Sequence, residues 1–411
     1  MTLNAFLTDV ARARGAFIDG KHLAQVRVGD TLVQDTVTNL FTNSSFASVV
    51  TPGGLVEVRR NRAVTPRPNA YAGTTWGAPA NLQSVPEPGW LGGTLTAATT
   101  PYIFSATSSR AYAAGDKVTL SIRYRVTAAN TGAAQHISVI PHIRTGNAYY
   151  RGTHVTRPMV VGQNEDVVVQ WTTPIDIAAG QLDIAIVGAN AAGTGLAAAD
   201  AGFGLQATRA LIEDGWTDGS FFDGASSPDI DLTPAWTGAT NASASILTGK
   251  SIAGVTPTGC VAIQSTRWAK EGAYSMRLIP TSPTDNYSCA RIPIPAGAVR
   301  AAGTMLATLR LAAPLTGSLS AAARSIRARN PDQRVQAPNT AGAHDLRLTF
   351  SALADTYFIE LMHGGLAGSG DVWWDLATLI AGNYTGKPAS GDSPGWAWDG
   401  TPHNSTSHGW R

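Results

Sequence analysis

Residue types able to do chemistry are sparse in this 411-residue sequence, and each has a bland structural alternative beside it. Gly391-Asp392-Ser393-Pro394-Gly395 spells the GxSxG of a hydrolase nucleophile elbow. That elbow needs a helix after it and a backbone N–H after the serine, and Pro394 has no N–H, so the segment reads as a turn. Gly202-Phe203-Gly204-Leu205-Gln206-Ala207 fits GxGxxA by letters, but no βαβ unit surrounds it and no dinucleotide site is expected. There is neither an HExxH nor a Walker sequence. His136, His142 and His154 are either solvent-facing or core histidines, or a zinc site if the fold gathers them. Asp223, Asp229 and Asp231 form an acidic turn or, alternatively, a structural calcium loop. A glycosidase needs two carboxylates flanking a cleft, and a later repeat of this segment carries Thr385, Gly391 and Ser393 there instead. The expectation is a protein that is not an enzyme, with no catalytic residue, no metal centre and no cofactor, structural calcium being the alternative left open.

Aromatic residues are the better candidates. Trp76, Trp90, Tyr149 and Tyr150 lie in loop-like contexts. Flat rings on loops stack on sugar faces and anchor protein interfaces, so these four are the candidate ligand-binding residues, with plain packing as the alternative. Cys260 and Cys289, the only cysteines, cannot make a zinc site unaided. They are either a disulfide formed in an oxidising medium or two buried thiols.

The elements that must position these residues are strands. Charged residues make up 14% against about 25% in an ordinary soluble domain. With 43 Gly and 44% hydrophobic residues, that composition suits short strands and tight turns. A net charge of +2 gives no field suited to nucleic acid or an anionic membrane. In 116–128, Val118, Leu120, Ile122, Tyr124 and Val126 alternate with polar residues, the period of a half-buried strand. Similar runs at 137–143, 167–171, 182–187, 203–211, 274–279, 305–311, 345–350, 357–362 and 371–376 predict antiparallel sandwiches. Residues 318–329 read as a loop helix or a strand pair. At the start, Leu3, Phe6, Leu7 and Val10 predict a short helix ending near Gly15, and Gly29-Asp30 predicts a hairpin turn. No apolar run there forms a secretory signal, and 184–199 is too interrupted to span a bilayer.

A repeat divides the chain. Phe222-Asp223-Gly224, then Trp236-Thr237-Gly238, then Ser243-Ala244-Ser245 recur as Tyr384-Thr385-Gly386, Trp398-Asp399-Gly400 and Ser405-Thr406-Ser407, each 162 residues later. The structural repeat residues are therefore Phe222, Gly224, Trp236, Gly238, Ser243 and Ser245 with Tyr384, Gly386, Trp398, Gly400, Ser405 and Ser407. Each copy closes a strand-rich stretch. The predicted organisation is all-β: a helix-hairpin attachment segment (1–39), then two jelly-roll or β-sandwich modules (40–248 and 249–411). Each repeat Trp either pins the closing segment to its sandwich, and is then largely buried, or stacks on a ligand.

The closing motif, with its aromatic residue, Gly and Trp-x-Gly-x-x-x-x-Ser-x-Ser, resembles that of minor tail proteins from long-tailed phages of actinobacteria. Residues 397–407 are the nearer match; the first copy has Ala239-Thr240 where Thr-Pro is usual. Asn39-Leu40-Phe41-Thr42-Asn43-Ser44-Ser45-Phe46 is similar to the start of modules in that family, and residues 268–275 resemble a strand of jelly-roll carbohydrate-binding modules. The resemblance covers well under half of the chain and carries no catalytic residues. It implies a virion protein at the phage tail tip, made in the host cytoplasm without a signal peptide. Its implied partners are other tail proteins, further copies of itself and a host cell-wall glycan, without nucleic-acid binding or membrane insertion. The alternatives are a carbohydrate-binding accessory module of a secreted glycan-active enzyme, and a tail-borne depolymerase.

Overall fold

A computed structural model describes residues 17–410 apart from 19–20, 23–24, 29–30, 51–53, 69–75, 79–81, 85–86, 150–152, 193–194, 283–285, 295–301, 330–331 and 352–357, with only the backbone course for 17–36. The helix expected over Leu3–Val10, the Gly29-Asp30 turn and Tyr150 lie outside the described residues. Regular structure among those described is strand, apart from one 3-10 turn at Thr145–Asn147, and no helix is long and apolar enough to cross a membrane.

The chain opens with β1 (Phe17–Ile18), β2 (Lys21–His22), β3 (Gln25–Val28), β4 (Thr31–Asn39) and β5 (Leu55–Asn61). A first jelly roll follows: β6 (Leu82–Ser84), β7 (Leu91–Leu95), β8 (Tyr102–Phe104), β9 (Lys117–Ala128), β10 (His136–Ile143), β11 (Ala148–Tyr149), β12 (Val155–Pro158), β13 (Asn164–Thr172), β14 (Leu182–Ala189) and β15 (Gly204–Asp214). Its sheets run β13-β9-β15-β7-β6 and β11-β10-β14-β8, with β12 also on β10. A hairpin of β16 (Thr233–Trp236) and β17 (Ser245–Lys250) closes it, with β17 beside β5. The second jelly roll comprises β18 (Thr256–Thr258), β19 (Cys260–Ser265), β20 (Ser275–Pro280), β21 (Cys289–Pro293), β22 (Ala302–Leu311), β23 (Ser325–Ala328), β24 (Gln333–Gln336), β25 (Gly342–Ser351), β26 (Phe358–Met362) and β27 (Val372–Ala381). Its sheets run β25-β22-β27-β20-β19, the order of β13-β9-β15-β7-β6 strand for strand, and β24-β23-β26-β21-β18, in which β23-β26-β21 repeat β10-β14-β8 and β18 is an added edge strand. The hairpin of β28 (Trp396–Trp398) and β29 (Ser407–Trp410) closes it, with β29 beside β4.

Period-2 patterning decides which face is buried. In β13, Val167, Val169 and Trp171 enter the first core while the residues between them stay exposed. That core joins Leu120, Ile122 and Tyr124 of one sheet to Ile137, Ile184 and Ile186 of the other. The second core joins Met305, Leu309 and Trp374 to Ile326, Ile359 and Leu361. Residues 318–329, left between helix and strand pair, contain β23, which pairs with β24.

The modules are nested, not consecutive. The chain forms one unit from 57–248 and another from 1–56 together with 249–411. The sequence division at 39/40 therefore misassigns residues 40–56. Phe41 and Phe46 pack into the second core, and β29 pairs with β4 through Ser407↔Asn39. The matching strand of the first unit is β5.

One asparagine locks each unit. Asn61 is fully buried; its Nδ2 donates to the carbonyls of Ala210 and Phe222, and its Oδ1 accepts from Ala63 and Ile212. Asn39, also fully buried, donates to Ala377 and Ala389 and accepts from Phe41 and Leu379. Each side chain thus fastens the opening segment to the last core strand and to the closing segment. Both last strands are bulged at the same place, with two residues opposite one of the neighbour and a left-handed residue in the bulge: Arg209 (φ 58) and Leu376 (φ 54). A buried threonine repeats too. Thr119 Oγ1 donates to Gly215 and accepts from Thr217, while Thr304 Oγ1 donates to Gly382 and accepts from Tyr384.

These bonds correct half of the repeat. Phe222 is matched by Ala389 and Gly224 by Gly391, 167 residues on, not by Tyr384 and Gly386 at 162. Asp223 N–H donates to Ser226 Oγ as Ser390 N–H does to Ser393 Oγ. The hairpins do keep the 162 offset. Trp236 pairs with Ser245 and Trp398 with Ser407, while Gly238 and Gly400 donate to Ser243 and Ser405. Five residues fewer join the closing turn to its hairpin in the second unit, and a gapless comparison of letters passes over that deletion.

Candidate functional site

The repeat tryptophans are only partly buried, contrary to the expectation of largely buried rings. Each lies against a glycine of the closing turn. A Cβ on Gly224 would stand 2.4 Å from Trp236 Cγ, and one on Gly391 2.3 Å from Trp398 Cδ2. One ring face is thus spent on a backbone that only glycine supplies, and Trp398 is further held by its Nε1 donating to Asp392 Oδ1 at 3.0 Å and by the His403 ring at 5.1 Å. The GxSxG segment is a run of turns in which Ser393 Oγ accepts from Ser390 and donates to Glu271.

The acidic residues do not gather. Asp223 is buried; Oδ1 accepts from Ala225 N–H and Ser226 Oγ, and Oδ2 meets Arg67. No group of three His, Cys, Asp or Glu able to hold a metal ion occurs among the described residues. His136 and His142 share the outward face of β10 but stand six residues apart, about 20 Å along a strand. Cys260 and Cys289 are free, buried thiols, and burial pushes their pKa values up to about 12 and about 11.

Of the four aromatic candidates, Trp76 is a core residue. It is 5% exposed, sits in the first core and donates from Nε1 to the Thr65 carbonyl at 2.6 Å. Its Gly- and Thr-rich surroundings read as loop, yet the ring fills the sandwich. Trp90 is half-buried under the Arg125 guanidinium at 4.3 Å. Tyr149 belongs to the arrangement richest in chemistry, which sequence reasoning found only in part.

That arrangement covers the outward face of the β11-β10-β14-β8 sheet. Alternation on β10 and β14 sends Ile137, Val139, Ile184 and Ile186 inward and leaves His142 and Asp183 outward, directly opposite each other. Tyr149 pairs with His142 from β11, while Tyr102 and Phe104 come from β8. The rings form a continuous group. Tyr102 and Phe104 have centroids 5.0 Å apart, Phe104 stacks on His142 at 4.5 Å, and His142 meets Tyr149 at 4.8 Å. Behind them, His142 Nδ1 lies 2.8 Å from Asp183 Oδ1, and Arg144 Nε donates to Asp183 Oδ2 at 2.7 Å. Asp183 has no side-chain exposure and His142 only 3%, so the pair is held in place, whereas Tyr102, Phe104 and Tyr149 are partly exposed. Such a face offers flat apolar surface beside fixed polar groups, a combination that binds a ring with an apolar side and a hydroxyl rim.

No family model and no curated protein matches the chain. Similar solved structures include the tandem CBM22-1-CBM22-2 domain of Paenibacillus barcinonensis Xyn10C, 8% identical, covering 82% of this chain and 100% of that one, with a TM-score of 0.24. The tandem CBM51 modules of a family 98 glycoside hydrolase from Streptococcus pneumoniae are 9% identical, with coverage of 69% and 84% and a TM-score of 0.18. An anti-sigma factor domain-containing protein is 9% identical, with coverage of 81% and 92% and a TM-score of 0.15. Scores this low carry no argument about this chain.

What sequence reasoning missed on this face is Tyr102, Phe104, Arg144 and Asp183. A signal was present: Tyr102 and Phe104 flank an inward Ile103 in a short alternating run. Pairing His142 with Asp183 needed the β10–β14 register, which no local pattern specifies.

Proposed function

We propose that this chain is a non-catalytic glycan-binding protein and that the His142–Asp183 face of its 57–248 unit takes a saccharide. The observation carrying this reading is the ring group of Tyr102, Phe104 and Tyr149 around the buried, hydrogen-bonded His142–Asp183 pair, with the exposed Arg144 bonded to it. Sugar hydroxyls would meet the exposed Arg144 that the His142–Asp183 pair holds from behind, and the partly exposed aromatic rings would cover an apolar sugar face. We further propose that the chain serves as a minor tail protein of a phage virion, together with other tail proteins and copies of itself, and adheres to host cell-wall glycan. Support for this role comes from the resemblance of the opening and closing motifs to those of actinobacterial phage tail proteins. The matched opening and second closing motifs pair directly within one unit, Asn39 with Ser407, so those residues belong to one folding device.

The test is binding of the purified full chain to host cell-wall polysaccharide. Tyr102→Ala and Tyr149→Ala should each weaken binding about fivefold to tenfold, as a lost aromatic contact of ~1–1.5 kcal/mol requires, with unchanged circular dichroism. Undiminished binding in both variants overturns the assignment of the face. Polysaccharide shortened during incubation overturns the non-catalytic reading. Virions imaged with labelled antibody should carry the label at the tail tip.

A further inference from the structure

The other sheet of the 57–248 unit carries a second arrangement on its outer face. Register sets Asp166, Arg123 and Thr208 in one row and Asn164, Arg125 and Gln206 in the next. Arg123 Nε donates to Asp166 at 2.7 Å; Arg125 Nε donates to Gln206 Oε1 at 2.8 Å, and Arg125 pairs with Glu87. Arg67 pairs with the buried Asp223 and lies 5.5 Å from the Phe221 ring. Arg209 sits in the bulge between these groups, its guanidinium 5.8 Å from Phe221. Arg67, Arg123 and Arg125 each have a carboxylate. Arg209 donates no hydrogen bond to a carboxylate or to any other acceptor among the described residues, and the carboxylates that act on it from nearby, Asp166 and Asp223, are bonded to Arg123 and Arg67.

The fold does not need a cation there. In the second unit the same left-handed bulge position holds Leu376, 1% exposed, so the backbone strain belongs to the bulge and the charge is an addition. Partial burial and the positive charges of Arg123 and Arg67 press on the guanidinium and outweigh the pull of Asp166 and Asp223, yet an arginine stays protonated in proteins. A partly buried cation with no carboxylate of its own is costly unless something supplies one.

We propose that Arg209, with Arg67 and Arg123 beside it and the Phe221 ring against it, binds an anionic group on a saccharide, either a carboxylate or a phosphate ester. A forked guanidinium matches both groups. The half-buried Phe221 and Trp90 give the same face apolar ring surface. Asp166 and Glu87, with 56% and 40% of their side chains exposed, offer acceptors for hydroxyls and interrupt the positive potential that a nucleic-acid backbone requires. This site is separate from the His142–Asp183 face, and either assignment can fail alone.

The test is NMR titration of the full chain with trigalacturonate, glucose 6-phosphate and uncharged maltotriose. At least one anionic probe should bind tighter than maltotriose, and the pair of anions tells carboxylate from phosphate. Arg209→Leu, which installs the residue of the equivalent position, should weaken that binding at least tenfold and leave the melting temperature in place. Arg209→Gln repeats the test if the leucine variant does not fold, and Tyr102→Ala should leave this binding unchanged. Anionic probes no tighter than maltotriose, or full binding by either Arg209 variant, overturn the proposal. Tighter binding of a single-stranded oligonucleotide than of either anionic sugar also overturns it.

Discussion

Replacing Asn39 by alanine should loosen a strand more than three hundred residues away. The side chain is fully buried and makes four hydrogen bonds, two of them accepted from the amides of Phe41 and Leu379 at 3.1 and 2.8 Å. The other two go to the carbonyls of Ala377 and Ala389 at 3.1 and 3.3 Å. Alanine leaves two buried N–H donors without that partner, and each such loss costs about 1–3 kcal/mol. Together they give roughly 2–6 kcal/mol, or one and a half to four powers of ten in a local opening equilibrium. Hydrogen exchange read by mass spectrometry on the full chain should therefore speed up by that factor in Val372–Ala381. Peptides covering Gly204–Asp214 should hold their rates, because Asn61 performs the same task there. Asn61→Ala should give the mirror-image result. If Asn39→Ala leaves Val372–Ala381 within twofold of wild type, or disturbs Gly204–Asp214 equally, the nested organisation and its asparagine lock are wrong.

Gly391→Ala should cost about 1–3 kcal/mol in urea unfolding, since the Trp398 ring occupies the space a Cβ needs; a neutral outcome means the ring does not rest on that turn. Asp375 is buried, and desolvation raises its pKa to about 7, helped by nearby Glu271 and opposed by N–H groups of Glu271, Leu376 and Lys270. The unfolded chain releases this proton near 3.8 and the folded one near 7, so the folded state binds more protons in between and Asp375 makes stability fall as pH rises from about 4 to about 7. Asp375→Asn should remove that contribution, and melting curves of both proteins across this range would expose an unchanged slope. Iodoacetamide at pH 8 should leave Cys260 and Cys289 unmodified in the folded chain and label both after unfolding, as their raised pKa values require. Rapid labelling of the native protein would show that the thiols are not buried.

The sequence by itself determined the strands and the faces they bury. Alternation in 116–128 and 167–171 is a local property, fixed by a side-chain period of two, and β13 follows it throughout, whereas in β9 Thr119 and Ser121 of the polar face are buried as well. The Trp-to-Ser repeat was equally legible as a spacing, since each copy spans ten residues, but that its two ends pair as a hairpin was not. Tertiary structure alone decided what depends on distant chain segments. A five-residue deletion hid the match of Phe222–Ser226 with Ala389–Ser393, because hydrogen bonds to Asn61 and Asn39, not letters, define the equivalence. Residues 40–56 went to the second unit because its closing strand β29 pairs with β4, a pairing across more than three hundred residues that no local preference encodes. The same holds for the candidate sites. His142 was visible in the sequence, but its Asp183 partner arises from the β10–β14 register. Arg209 gains its meaning only where the sheet brings Arg123, Arg67 and Phe221 around it and leaves the nearby Asp166 and Asp223 bonded to the other two arginines.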